Sequence, residues 1–361
     1  MSKFITCFSV LLVAASAGAG FAHAHPTDRT LAVVMTNDLN ANQIKVYDAT
    51  TRALLQTLST QGRGGVGGNA RGVKQYEGDI VAAVNNGSNS VAVFRRDGSR
   101  LRYVGSVTTT SAPVSIDFGN GHMYVAGATS VDSFVMREHH VEWMDGTTAL
   151  DLAEGGTPSA GSTAQVGVIN QDRLLVTLKT DPTPGTVDVV ALHDGAITGA
   201  MPTAVSAPAG SLTPFGFSVY PDGTAMIALA HSNEDGLFRD GAFVSVTAAG
   251  QSADCWTTRI GKYVFTANTA SRSISRVIGT GSHVFVDAVV AATTTTGGGP
   301  SDIDAANGVL GAIDHSAGQS HLSLFVYNRF GELATSGVPI NLGVANANGV
   351  AIMPPAERND D

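Results

Sequence analysis

The sequence predicts an all-β chain folded as a single seven-bladed β-propeller, and three observations carry that prediction. Seven short segments look like copies of one another: NARGV (69–73), APVSI (112–116), TAQVGV (163–168), TPFGF (213–217), ADCWT (253–257), GPSDI (299–303) and NANGV (346–350). They recur every 40 to 50 residues, the period of a propeller blade. Beyond the N-terminal segment no stretch keeps a 3.6-residue apolar period, whereas alternating or continuous β-branched runs recur throughout.

The elements follow in order. Lys3 precedes an apolar run from Phe4 to Ala22, and Ala22-His23-Ala24 is a small-x-small cleavage site. Residues 1–24 therefore read as a secretory signal peptide, too short and too rich in small residues for a membrane anchor. The expected destination is extracellular, or periplasmic in a bacterium. Residues 25–354 form the predicted propeller and 355–361 a short polar tail.

Within each repeat the bend-and-apolar segment is the innermost strand. A polar turn follows, such as Asn120-Gly121 or Pro221-Asp222-Gly223, which supplies the dihedrals a tight reversal needs. The second strands read DIVAAVNN (79–86), HMYVAGAT (122–129), RLLVTLKT (173–180), TAMIALAHS (224–232), KYVFTANT (262–269) and VLGAIDHS (309–316). Third strands include NSVAVFRR (89–96), GTVDVVAL (185–192), RSISRVI (272–278) and HLSLFVYN (321–328). In the fifth blade AFVSVT (242–247) reads as the third strand, which leaves a three-stranded blade or one with a very short outer strand, and a long top-face loop from His231 to Gly241. The propeller opens on LAVVMTN (31–37), a second strand with no first, and closes on NANGVAIMP (346–354), a first strand with no second. The C-terminal strand is therefore expected to complete the first blade and close the ring.

Loss of Lys3 with the signal peptide moves the formal net charge from −9 to about −10. An acidic surface excludes nucleic acid and anionic membranes as natural partners. Cys7 leaves with the signal peptide, so Cys255 has no partner and reads as a shielded thiol in a monomer. Asn86-Gly87-Ser88 is a glycosylation sequon, relevant only in a host that glycosylates.

The segments AVNNGSNSVAVFRRDGSRL (83–101), TAQVGV (163–168), LTPFGF (212–217), ADCWTT (253–258), KYVFTANTASRSIS (262–275), GPSDID (299–304) and NANGVA (346–351) together resemble the lactonase-type seven-bladed propellers. These include 6-phosphogluconolactonase-like and carboxymuconate-cyclase-like proteins with YVTN-type repeats. The resemblance implies hydrolysis or formation of a lactone of a small sugar acid or carboxylic acid. Enzymatic members of the phosphogluconolactonase branch carry a His-x-His pair before an inner strand, where this chain reads Ser162-Thr163-Ala164-Gln165-Val166. That departure leaves a second expectation open, a non-catalytic propeller binding a small ligand or a protein at its top face.

Propeller geometry brings the starts of first strands and the ends of second strands to one tunnel mouth, a concave place suited to ligands. The first-strand starts offer Arg71, Gln165, Asp254, Asp302 and Asn348; the second-strand ends offer Asn85, Lys179, His231, Asn268, Asp314 and His315. His231 is the expected base, with Lys179 and Arg71 holding a carboxylate or developing oxyanion. Gln165, Glu234, Asp254, Asn268, Asp302 and Asp314 are the expected ligand contacts. Asp302 and Asn348 also fit a purely local role, bonding backbone in the bends. The run Gly62 to Gly68 lacks the Gly-Lys-Ser/Thr ending of a phosphate loop and reads as a long top-face loop. In Arg137-Glu138-His139-His140-Val141-Glu142 adjacent histidines point to opposite strand faces, so they form no chelating pair. No metal set and no cofactor motif is read from the sequence.

Overall fold

The computed structural model describes residues 29–138, 140–152, 162–179 and 185–355. The expected signal peptide, His139 and the tail beyond 355 lie outside the described residues. The described chain forms seven antiparallel sheets, each a blade, arranged around a central axis. Among the described residues no helix is long and apolar enough to cross a membrane.

The second strand of each blade is almost wholly buried, as in Leu31–Met35, Ile80–Asn85 and Ala225–Leu229. Both faces of a blade are covered by neighbouring blades, so these strands read as continuous apolar runs although their pairing is antiparallel. Outer strands meet water on one side and alternate, as Leu54–Ser59 and His283–Thr293 do. In blades four and seven the outer strand is broken in two, Ala196–Ile197 with Thr203–Ser206 and Leu333–Thr335 with Ile340–Asn341.

The predicted closure is present. Val350–Met353 pairs antiparallel with Leu31–Met35, which pairs in turn with Gln43–Asp48. All four residues of the C-terminal strand are buried. It also receives side-chain bonds from the last blade: Asp302 Oδ2 accepts from the Val350 amide at 3.1 Å and Asp304 Oδ2 from the Ile352 amide at 2.8 Å.

The fifth blade differs from the sequence expectation. Its third strand is Glu234–Arg239 and AFVSVTA (242–248) is a full outer strand, so four strands are present. The expected loop from His231 to Gly241 is therefore strand and hairpin, and only a short turn remains after Ala225–Leu229. Glu234 and Asp235 disguised the strand, because two acids at its head look like solvated loop, whereas Asp235 is fully buried. The second blade differs too: its inner strand is Val73–Tyr76, and residues 69–72 belong to a loop across the tunnel mouth.

Deleting residues 345–354 removes the closing strand and bares the edge of Leu31–Met35. Burial of Val350, Ile352 and Met353 contributes roughly 1.5–3 kcal/mol each, and the ring loses its circular continuity as well. The expected result is loss of a cooperative thermal transition at the wild-type temperature; an unchanged melting temperature would show that the ring does not depend on this strand.

Candidate functional site

The seven innermost strands do not pair with one another, so each presents unpaired backbone groups along the tunnel. Side chains of one strand satisfy the next. Ser115 Oγ accepts from the Val166 amide at 3.2 Å and Asp117 Oδ2 from the Val168 amide at 2.9 Å. Gln165 spans the next gap, accepting from the Phe217 amide at 3.0 Å and donating to the Phe217 carbonyl at 2.8 Å. The tunnel is thus filled with polar side chains. Asp117 is also paired with Arg71 at 3.7 Å and Lys74 at 3.4 Å. Burial pushes the Lys74 pKa down, helped by the Arg71 charge, and pushes the Asp304 carboxyl up.

The glycine-rich segment closes the top of this tunnel. Asn37 Oδ1 accepts from the Gly65 and Val66 amides at 2.8 and 3.0 Å, and its Nδ2 donates to the Val66 carbonyl at 2.8 Å. Trp256 Nε1 donates to the Asn69 carbonyl at 2.7 Å, Asn69 Nδ2 to the Val114 carbonyl at 2.6 Å, and the Ala70 amide to the Ala164 carbonyl at 3.0 Å. Blades one, three, four and six therefore all hold this one loop. A Cβ on Gly64 would lie 2.4 Å from the Asn37 carbonyl carbon, and Gly65 has φ of +107°, so the close approach needs glycine.

A cleft of about 350 Å³ remains between this cap and the last blade. Its walls include Asn37, Val66, Trp256, Ser301, His315 and Asn348. Ser301 Oγ lies 2.7 Å from His315 Nε2, and His315 Nδ1 lies 3.1 Å from Ser320 Oγ. Ser320 Oγ in turn accepts from the Ala347 amide at 3.1 Å. Either ring nitrogen can carry the proton, and the tautomer protonated on Nδ1 leaves Nε2 as acceptor for the Ser301 hydroxyl. His315 is exposed at the cleft mouth, yet partial burial of its ring holds its pKa below the ordinary histidine value. Asn348 donates to Asn69 Oδ1 at 2.7 Å, while its own buried Oδ1 has no donor.

The sequence-derived residues fall in several places. Lys179 reaches across the mouth to the Gly68 carbonyl at 2.6 Å and lies over the Phe215 ring at 5.9 Å; burial pushes its pKa down to about 8. Arg71 points into the tunnel, donating to the Phe217 carbonyl at 3.3 Å. His231 is exposed on blade five with Nδ1 2.9 Å from Thr213 Oγ1. None of these three lines the cleft beside blade seven. Gln165 and Asp302 bridge inner strands, as does Asp304 beside them. Glu234 accepts from Ser211 Oγ at 2.8 Å, and Asp314 accepts from Ser323 Oγ at 2.9 Å and from Thr296 Oγ1. Asp254 and Asn268 lie buried between blades five and six. His315 stood among the second-strand ends read from sequence; Ser301 did not, because its partner lies fourteen residues on and meets it only through blade pairing.

No family model matches this chain, and no curated protein does. Solved structures do. One is a 6-phosphogluconolactonase, so named provisionally, from Bacteroides fragilis, with a TM-score of 0.64 at 14% identity over 90% of this chain and 98% of its own. The periplasmic gluconolactonase of Pseudomonas aeruginosa gives 0.64 at 12% over 90% and 99%. A catalytically inactive virginiamycin B lyase from Staphylococcus aureus gives 0.54 at 12% over 79% and 92%. The chain has the lactonase-type seven-bladed propeller fold. Lactonases and a lyase share that architecture, so fold alone leaves the chemistry open.

Burial pushes the Asp302 carboxyl up to about 8 and Asp188 up to about 7, against an unfolded value of about 3.9. For an acid raised on folding, the native state holds the proton longer, so its stabilising share is full below the unfolded pKa and is lost as pH rises through the folded one. The melting temperature should fall between pH 5 and pH 9, and Asp302→Asn should flatten part of that slope; an unaltered slope in the variant would remove Asp302 as its source. Cys255 is half-buried, and burial, with Asp254 beside it, pushes its thiol up to about 12. Thiol reagents at pH 8 should label the native protein roughly a thousandfold more slowly than the unfolded chain; rapid native labelling would show an open thiol.

Proposed function

We propose that this protein is an exported lactonase-type hydrolase that opens a small cyclic ester at the Ser301–His315 pair. The observation that carries the reading is the 2.7 Å contact between Ser301 Oγ and His315 Nε2 on the wall of a 350 Å³ cleft. A cleft of that size matches a small sugar lactone or related carboxylic ester. The neighbours named as lactonases support the substrate class, and the signal-like residues 1–24 support export. The protein acts as a monomer on a small molecule, with no nucleic acid or membrane partner.

In this reading the neutral His315 accepts the Ser301 proton on Nε2 as Oγ bonds to the lactone carbonyl carbon. The ring C–O bond then breaks and the imidazolium returns that proton to the departing ring oxygen. Water repeats the sequence, releasing a hydroxy acid and restoring Ser301. Nδ1 is held by the Ser320 hydroxyl, and the adjacent Asp314 carboxylate favours the charged ring. A hydroxyl rather than a carboxylate at Nδ1 favours the second reading, a propeller that binds the same ligand without turning it over.

A lactone panel with wild type, Ser301→Ala, His315→Ala and His231→Ala separates the readings. Hydrolysis by wild type, reduced about 10²–10⁴-fold in the first two variants and unchanged in His231→Ala, supports the pair. The acid limb of the rate should lie below the ordinary histidine pKa of about 6.5, since the base must be neutral and its pKa is lowered. Loss confined to His231→Ala would move the base to blade five, where Lys179 and Arg71 were expected to assist it. Saturable binding without turnover would make the protein a binder.

A further inference from the structure

The interface between blades five and six holds a group of oxygens without donors. Asp235 and Asp254 are both fully buried, and the Ala253 amide donates to Asn233 Oδ1 at 2.8 Å, which brings the heads of their two strands together. Among the described residues no amide, hydroxyl or cation donates to any of their four oxygens. The Asn268 Oδ1 and Thr266 Oγ1 atoms are equally buried and equally without a partner.

These side chains share one space. Val264 packs with Met226 and Leu237 of blade five, so strand alternation turns Thr266 and Asn268 toward blade five and Asp235 toward blade six. Asp254 is the cross-strand partner of Asn268. The Asn268 amide orientation is fixed by its other bonds. Ser273 Oγ donates to Gln251 at 2.8 Å and Ser275 Oγ to the Val289 carbonyl at 2.8 Å, so each has only acceptor capacity left. Both accept from Asn268 Nδ2, at 3.2 and 2.7 Å, which leaves Oδ1 on the other side.

Comparison of the blades makes Asp235 anomalous. The third-strand residue opposite Met35, Val84, Ala126, Thr177, Ala267 and Ile313 is Ile44, Val91, Val131, Val187, Ile274 and Leu322 respectively. Only opposite Ala228 in blade five is the residue charged, Asp235. An aliphatic slot filled six times over accepts a carboxylate at a large desolvation cost unless something compensates it.

We propose that the space between blades five and six holds a calcium ion, ligated by the Asp235 and Asp254 carboxylates, the Thr266 hydroxyl and the Asn268 side-chain carbonyl. Two carboxylates balance a divalent charge, and an all-oxygen set suits a hard cation. Six oxygens without donors match the lower end of calcium coordination. The ion bridges two blades, so its effect is on stability of the ring rather than on chemistry in the cleft. No metal motif is legible in the sequence because two of the four ligand residues, Thr266 and Asn268, are neutral and stand on no characteristic spacing.

The test uses the full chain, stripped with EDTA and freed of chelator. Calcium chloride titrated calorimetrically should bind at one site per chain. At a hundredfold excess over its dissociation constant it should raise the melting temperature by about 4 °C. Asp235→Val restores the aliphatic residue of the other blades; this variant should fold, melt above the stripped wild type and ignore calcium. Absence of a calcium-dependent shift in wild type, an equal shift in the variant, or a melting temperature moved by pH but not by calcium (a shared proton in place of a metal) would each overturn the proposal. A shift with magnesium and none with calcium would overturn the choice of ion. Should Asp235→Val fail to fold, the wild-type titration alone decides.

Discussion

The structure depends on satisfying the backbone of the innermost strands. Antiparallel pairing inside a blade accounts for one edge of each inner strand, but the other faces a narrowing tunnel where blades diverge too far to pair. An unpaired buried amide is costly, and the chain meets this with short side chains that reach to the next blade. Ser115, Asp117, Gln165, Asp302 and Asp304 all do so. The same constraint explains the C-terminal strand: without Val350–Met353, the edge of Leu31–Met35 has no partner and Asp302 and Asp304 lose their donors from that strand.

A tunnel filled in this way has little room for a ligand, and the cap from Gly62 to Gly72 closes what remains. Glycines let its backbone lie against Asn37, and polar groups from four blades hold it there. One cleft lies at the rim, beside blade seven and the closing strand. The cleft is a consequence of the closure as much as of the cap, because Asn346, Ala347 and Asn348 form one of its walls.

Blades five and six show where repetition stops. Six blades fill one interblade slot with an aliphatic residue and the fifth places Asp235 there, against Asp254. The departure also hid a strand, since acids at the head of Glu234–Arg239 gave it the character of a loop. One buried carboxylate thus accounts both for the misread strand and for buried oxygens between blades five and six.

Residue order alone determined the all-β class, the seven repeats and the closure, because these rest on strand periodicity, turn residues and a repeat that begins at its second strand. It also identified the tunnel mouth, since blade topology sends first-strand starts and second-strand ends to one face. His315 was legible there as a second-strand end, whereas Ser301 was not, because their contact is made across paired strands fourteen residues apart. Nor could sequence tell that Gln165, Arg71 and Asp302 turn down the tunnel toward backbone while Lys179 caps a loop carbonyl. Strand pairing is encoded locally, by alternation and turns, and so it can be read from the chain. Which polar atom meets which is fixed only when seven blades close into a ring, and that decision belongs to the tertiary structure.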